Sequence, residues 1–260
     1  MERKKTFNEI AREYDKYRPS YPEQLFTDVL ELTAIKQGDS ILEIGCGTGQ
    51  ATKGFVDLGF DNVTCIELGQ NLAELTREKF KNKPNVNIIN SPFETWQSEK
   101  SNFDLAISGT AFHFVQSQEV GYRKVFDLLN DEGSIAFFWT VHIPSFDDVS
   151  NRIRESYNRY APQLDDSKNP TIEQIIDDRS VLTLKDGLFK ELEIKQYICN
   201  HTYTADEYIS LLNTNSRHRL LPDKARFELF GEIQEAIEED GGILNKPQAV
   251  VLYHAKKNPK

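Results

Sequence analysis

The chain has 260 residues, with 31 basic and 41 acidic side chains and a net charge of −10. That balance excludes a broad surface for nucleic acid or anionic membrane. No apolar run approaches the roughly 20 residues that span a bilayer, and Met1–Lys5 precede no signal-type apolar segment. Cys46, Cys65 and Cys199 are far apart and odd in number, so they form neither a disulfide framework nor a metal-ligand spacing. The expectation is a cytoplasmic, metal-independent protein of one α/β domain, without nucleic-acid or membrane partners.

Residues 6–33 read as two helices. Phe7, Ile10, Ala11 and Tyr14 recur at helical spacing, and so do Leu25, Phe26, Val29 and Leu30. Between them Arg18-Pro19-Ser20-Tyr21-Pro22 must be extended, because each proline fixes its own φ and restricts the residue before it. Tyr14, Tyr17 and Tyr21 suit packing, or a lid over a ligand.

Ile41-Leu42-Glu43-Ile44 is a buried strand that runs into Gly45-Cys46-Gly47-Thr48-Gly49. Glycine tolerates positive φ and lets a ligand approach bare backbone. A helix should follow over about 49–58, with its free amides facing the same space. Asn62–Glu67 is a second strand ending in an acid. Leu68, Leu72, Leu75 and Phe80 mark a helix. Val86–Asn90 and Phe103–Ser108 are further strands, with the loop Ser91–Trp96 between them. Tyr122, Val125, Phe126 and Leu129 give a helix, Asp131-Glu132-Gly133 a turn and Ser134–Trp139 a fifth strand. Strands alternating with helices imply a mostly parallel sheet covered on both faces.

The pattern changes after Thr140. Two short helices are expected near 147–160 and 171–179, then a strand over 189–198. Thr204-Ala205-Asp206-Glu207 fits a capping box. A helix carrying Phe227, Phe230, Ile233 and Ile237 stops at Gly241-Gly242. Ala249–His254 is the last strand.

The glycine turn suits a nucleoside-bearing ligand. In the dinucleotide fingerprint the third glycine allows close helix–strand packing. Here that glycine, Gly49, falls one place early, and Glu43 would set a carboxylate beside a pyrophosphate. Such a charge is acceptable for S-adenosylmethionine, whose sulfonium is positive and whose nucleoside carries no phosphate. Glu67 suits a ribose with either ligand, since a carboxylate accepts from both hydroxyls. Against these stand plainer readings: Glu43 as a surface carboxylate, Glu67 as a strand-end charge, Cys46 as a packing residue and His113 as a half-buried imidazole.

Glu43-Ile44-Gly45-Cys46-Gly47-Thr48-Gly49 resembles the first motif of class I S-adenosylmethionine-dependent methyltransferases. Tyr14-Asp15 with Arg18-Pro19-Ser20-Tyr21-Pro22 resembles a small-molecule subgroup that includes trans-aconitate methyltransferase-like proteins. The resemblance implies a Rossmann-like, doubly wound α/β sheet of seven strands, mostly parallel with an antiparallel last strand, plus helical lid and cap segments. It implies N-terminal lid helices at 1–34, a cofactor core at 35–140, cap insertions at 141–187 and 200–245, and C-terminal strands at 188–199 and 246–256. It sets Glu43, Gly45, Cys46, Gly47 and Gly49 around the methionine part of the cofactor. Glu67 would hold the ribose and Leu68 would lie against the adenine. Phe93 would sit at the adenine edge, because Pro92 stands where relatives often carry Asp. Ser108 and Thr110 would lie beside the methionine. His113 is followed by Phe114 where the subgroup often has Trp.

Methyl transfer needs acceptor, methyl and sulfur in line, with water excluded. A carboxylate acceptor needs no base. Other acceptors do, and His113 is the best placed by sequence. Tyr14 and Tyr21 could present ring faces to a sulfonium. Arg18 and Arg217 could grip a carboxylate. The expected partner is a small molecule, handled by a monomer or homodimer. The alternatives are a nucleoside-cofactor-binding protein without turnover and an NAD-dependent oxidoreductase.

Overall fold

The structure is a computed structural model that describes residues 8–98, 102–165 and 169–259. Met1–Lys5 and Phe7, the latter expected on the first helix, lie outside the described residues. The helices are α1 (Ala11–Tyr17), α2 (Glu23–Thr33), α3 (Gln50–Asp57), α4 (Gln70–Lys79), α5 (Gln118–Leu128), α6 (Asp148–Tyr160), α7 (Ile172–Leu184), α8 (Ala205–Asn213), α9 (Ser216–Arg219) and α10 (Asp223–Glu239). The strands are β1 (Ile41–Ile44), β2 (Val63–Glu67), β3 (Val86–Asn90), β4 (Phe103–Gly109), β5 (Leu129–His142), β6 (Phe189–Thr204) and β7 (Ile243–Lys257). Among these described residues two compact units form, one within 20–140, 172–197 and 250–259, the other within 8–19, 141–171 and 198–249.

The first unit is built on a seven-stranded sheet of order β3-β2-β1-β4-β5-β7-β6. Pairs β1–β2, β1–β4, β2–β3 and β4–β5 are parallel. β7 runs against its neighbours. At its end Lys257 Nζ donates 2.7 Å to the Leu129 carbonyl at the start of β5, and Asn258 N donates 2.9 Å to the Leu188 carbonyl just before β6. β1 is buried along its whole length, which accounts for its almost unbroken apolar sequence. Leu25, Phe26 and Val29 of α2 enter the same core as Ile41, Phe55, Leu105 and Phe138. The Phe26 and Phe55 rings meet edge to face at 5.2 Å. The contact depends on Gly54, where a Cβ would come within 2.2 Å of the Phe26 ring.

The second unit has its own core, including Val149, Ile153, Tyr208, Leu212, Ile233 and Ile237. Its capping box is closed: Glu207 N donates 3.3 Å to Thr204 Oγ1, and Thr204 N donates 2.9 Å to Glu207 Oε2. Among the described residues no helix is long and apolar enough to cross a membrane.

Several boundaries differ from the sequence reading. Asp131-Glu132-Gly133, expected as a turn, falls inside β5. Its turn character survives as a register shift, since Phe103 pairs with Leu129 but Leu105 with Ser134. α7 continues to Leu184, β6 to Thr204, and β7 begins at Ile243. α9, with Asn215 as its cap, lies where a loop was expected.

Candidate functional site

The candidate site is the turn between β1 and α3, within the sheet-bearing unit. Gly45, Gly47 and Gly49 have φ of 72°, 57° and 82°, left-handed values that glycine adopts without strain. A Cβ on Gly45 would come 2.5 Å from Ala111 Cβ, so the turn lies against the segment after β4. Gly45→Ala is expected to lower stability by roughly 2–4 kcal/mol, from the left-handed backbone and the overpacking together, as read by denaturant titration. No loss would show that the turn relaxes without penalty.

Glu67 ends β2 and ties the turn down. Gly47 N donates 2.8 Å to Oε2 and Gly69 N 2.7 Å to Oε1. Burial pushes its pKa up, against the pull of the backbone amides of Gly69, Gly47 and Leu68. The carboxylate has four lone-pair positions, more than these amides fill, so it keeps acceptor capacity for a ribose hydroxyl. Glu67 is therefore more than a strand-end charge.

Glu43 is 1 % exposed, so it is no surface carboxylate. Thr52 Oγ1 of α3 donates 2.5 Å to its Oε2, and Cys65 Sγ lies 3.8 Å from the same oxygen. Burial raises its pKa to about 7, against those hydrogen bonds and with a smaller push from the Glu67 charge. Cys46 is buried, and its thiol is pushed well up, first by its contact with Cys65 and then by desolvation. That is a packing thiol rather than a nucleophile.

Several supports had little signal in the sequence. Thr76 Oγ1 donates 2.8 Å to the Gly47 carbonyl, and Lys79 Nζ donates 2.7 Å to the Thr48 carbonyl, so α4 braces the turn. Their three-residue spacing on one helix face was the available clue. Asn90 Nδ2 donates to the Glu67 and Leu68 carbonyls at 2.9 and 3.0 Å. Leu68 is 39 % exposed. Phe93 is buried, and its carbonyl accepts 2.6 Å from Lys124 Nζ.

The segment after β4 is equally tied. Ser108 Oγ donates 2.7 Å to the Ile44 carbonyl. Thr110 has φ of 53° and accepts from the Tyr21 hydroxyl and from Thr140 N, both at 3.2 Å. His113 Nδ1 accepts from Trp139 Nε1 at 3.2 Å. Tyr21 thus belongs to the unit that carries the turn. Tyr14, Arg18 and Arg217 belong to the other unit. There Arg18 donates to Thr214, and Arg217 Nη2 donates 2.5 Å to the Gln163 carbonyl.

The residues fit a phosphate-free nucleoside. The turn offers buried polar atoms without partners, Thr48 Oγ1 and Gln50 Nε2; Glu43 and Glu67 flank it, and the Lys79 ammonium beside it is engaged by the Thr48 carbonyl.

Comparison with known proteins agrees. Residues 41–133 match the family described as "Methyltransferase domain". A methyltransferase-like protein of Schizosaccharomyces pombe, itself uncharacterized, is 21 % identical over 252 residues, 96 % of this chain and 92 % of its own length. The malonyl-(acyl-carrier protein) O-methyltransferase of Priestia megaterium is 32 % identical over 141 residues, 52 % of this chain and 49 % of its own length. A solved structure from Anaeromyxobacter dehalogenans, a putative type II methyltransferase, superposes with a TM-score of 0.62 at 20 % identity, covering 93 % of this chain and 97 % of that one. The chain thus carries a methyltransferase domain over residues 41–133, and S-adenosylmethionine is the cofactor of that class.

Proposed function

We propose that the enzyme methylates a carboxylate of a small organic acid. The carrying observation is His113. Its Nδ1 accepts the Trp139 indole proton at 3.2 Å, which leaves the neutral ring's own proton on Nε2. In that arrangement the ring has no lone pair to take a proton from an acceptor. Tyr21 is likewise committed to Thr110. A carboxylate is already ionised and needs no base. The O-methyltransferase of malonyl-carrier protein and the resemblance to the trans-aconitate subgroup support the same acceptor class.

The cofactor supplies an electrophilic methyl group on a sulfonium. In this reading the remaining acceptor capacity of Glu67 takes a ribose hydroxyl. Exposed Leu68 and the Phe93 loop border the adenine. Glu43, the backbone of Gly45, Cys46, Gly47 and Gly49, and the Ser108–Thr110 segment border the methionine. Tyr21 holds Thr110 in its left-handed conformation.

The test is methyl transfer from radiolabelled cofactor to carboxylic acids, phenols, amines and a malonyl thioester. Esters of the acids are expected, with turnover that does not rise between about pH 6 and pH 8, because the nucleophile is fully ionised throughout. Methylated phenols or amines without methylated acids would overturn the reading.

A further inference from the structure

The helical unit holds a polar cluster that the glycine turn does not use. Arg18, at the end of α1, is clamped along one edge: Nε donates 2.9 Å to Thr214 Oγ1, and Nη2 donates 3.2 Å to the Thr214 carbonyl. The Tyr14 ring lies 5.1 Å from the guanidinium carbon. These bonds leave the Nη1 edge. His218 is 6 % exposed. Its Nε2 lies 2.7 Å from the Tyr157 hydroxyl, and its Nδ1 has no partner. The Tyr203 hydroxyl is also buried without a partner. The charge of Arg18 reaches both the Tyr203 phenol and the His218 ring.

Each unmet buried donor costs roughly 1–3 kcal/mol. The acidic groups at hand are engaged. Glu9 pairs with Arg219 at 2.9 Å, and Glu207, whose charge also reaches the Tyr203 phenol against that of Arg18, closes the capping box with Thr204. Arg217 and His142 add their fields at His218 to that of Arg18. The cluster is therefore positive, rich in donors and short of an acceptor.

We propose that Arg18, Tyr203 and His218 form a binding site for the carboxylate of a small organic acid. In the tautomer in which the Tyr157 hydroxyl donates to Nε2, the neutral His218 ring carries its proton on Nδ1. Arg18 Nη1, the Tyr203 hydroxyl and His218 Nδ1 then offer three donors to the four lone-pair positions of one carboxylate. A planar guanidinium edge matches a planar carboxylate, and one free edge suits a monoanionic group better than a phosphate dianion. Arg217 contributes its field, since its Nη2 is taken by the Gln163 carbonyl. The inference rests on the acid-acceptor reading for the class of ligand it names, and concerns the helical unit alone.

The experiment uses the full chain with ¹⁵N-labelled histidine, titrated with succinate and, separately, with inorganic phosphate at matched ionic strength. Succinate is expected to shift the His218 Nδ1 resonance saturably and to raise the pH at which that ring titrates. Tyr203→Phe, a conservative change, is expected to weaken the effect about tenfold, as loss of a hydrogen bond to a charged group would. Arg18→Lys is expected to weaken it at least as much. An absent succinate response, a response to phosphate alone, or an unchanged response in both variants overturns the site. Calorimetry with S-adenosylmethionine on the same sample keeps the two claims apart: failure there removes the methyltransferase reading, and failure with succinate removes only this one.

Discussion

Replacing Glu43 with Gln is expected to stabilise the empty enzyme at about pH 8 and to weaken its hold on the cofactor. Burial raises the folded-state pKa of Glu43 to about 7 from an ordinary 4.5. Between those values the folded state keeps a proton that the unfolded state has released. Stability is therefore fully present below the unfolded pKa and is lost as pH rises through the folded one. At roughly 1.4 kcal/mol per unit, the ionised side chain costs about 3–4 kcal/mol at alkaline pH. Gln keeps the shape and an oxygen for the Thr52 hydroxyl, and it never ionises. Its melting temperature should exceed that of the wild type by several degrees at about pH 8, and the gap should close near pH 5. The cofactor reverses the balance. A sulfonium and an ammonium favour the ionised acid, so the variant should bind S-adenosylmethionine on the order of tenfold more weakly. The wild type should release a proton on binding, seen as a buffer-dependent calorimetric enthalpy. A variant no more stable than wild type at pH 8, or one that binds the cofactor equally well, would sink this account.

The two acids illustrate how far sequence could reach. The glycine spacing and the acid after the second strand located the turn, because left-handed backbone and a strand-end carboxylate are local requirements. Burial is not local. Nothing in Ile41-Leu42-Glu43-Ile44 distinguishes a bordering carboxylate from one sealed under α3 against Thr52, because that depends on β2 and β4 flanking the strand. The seven-stranded sheet with its antiparallel last strand was legible through the resemblance, and the helical faces through periodicity. The ends of β5, β6 and β7 were not, because long-range pairing extended them past the apolar runs that mark them. His113 shows the same limit at the chemistry. Its position in the loop was readable, but its tautomer depends on Trp139, twenty-six positions along the chain. Arg217 was legible as a cation, but the donation of its Nη2 to the Gln163 carbonyl depends on folding.

His218 should make the helical unit lose stability in acid. Burial, aided by the charges of Arg217, Arg18 and His142, lowers its pKa from 6.5 to about 3. As pH falls below the unfolded value, the unfolded state binds a proton that the folded state refuses. Stability thus declines by up to about 1.4 kcal/mol per unit, reaching roughly 3 kcal/mol by about pH 4. His201, lowered by burial, adds to the same slope, whereas His254, also lowered by burial, belongs to the sheet-bearing unit. Glu43 acts oppositely over nearly the same range, because protonation relieves its burial. The two effects belong to different units, and hydrogen exchange separates them. From about pH 6.5 to pH 4.5, after correction for intrinsic rates, amides of β1 and α3 should gain protection while those of α8 and α10 lose it. His218→Gln should abolish most of the loss in the helical unit and leave the gain around Glu43 untouched. Glu43→Gln should do the reverse. Equal loss of protection in the helices with and without His218 would assign the acid sensitivity to other groups. A gain around β1 that survives Glu43→Gln would show that a different carboxylate titrates there.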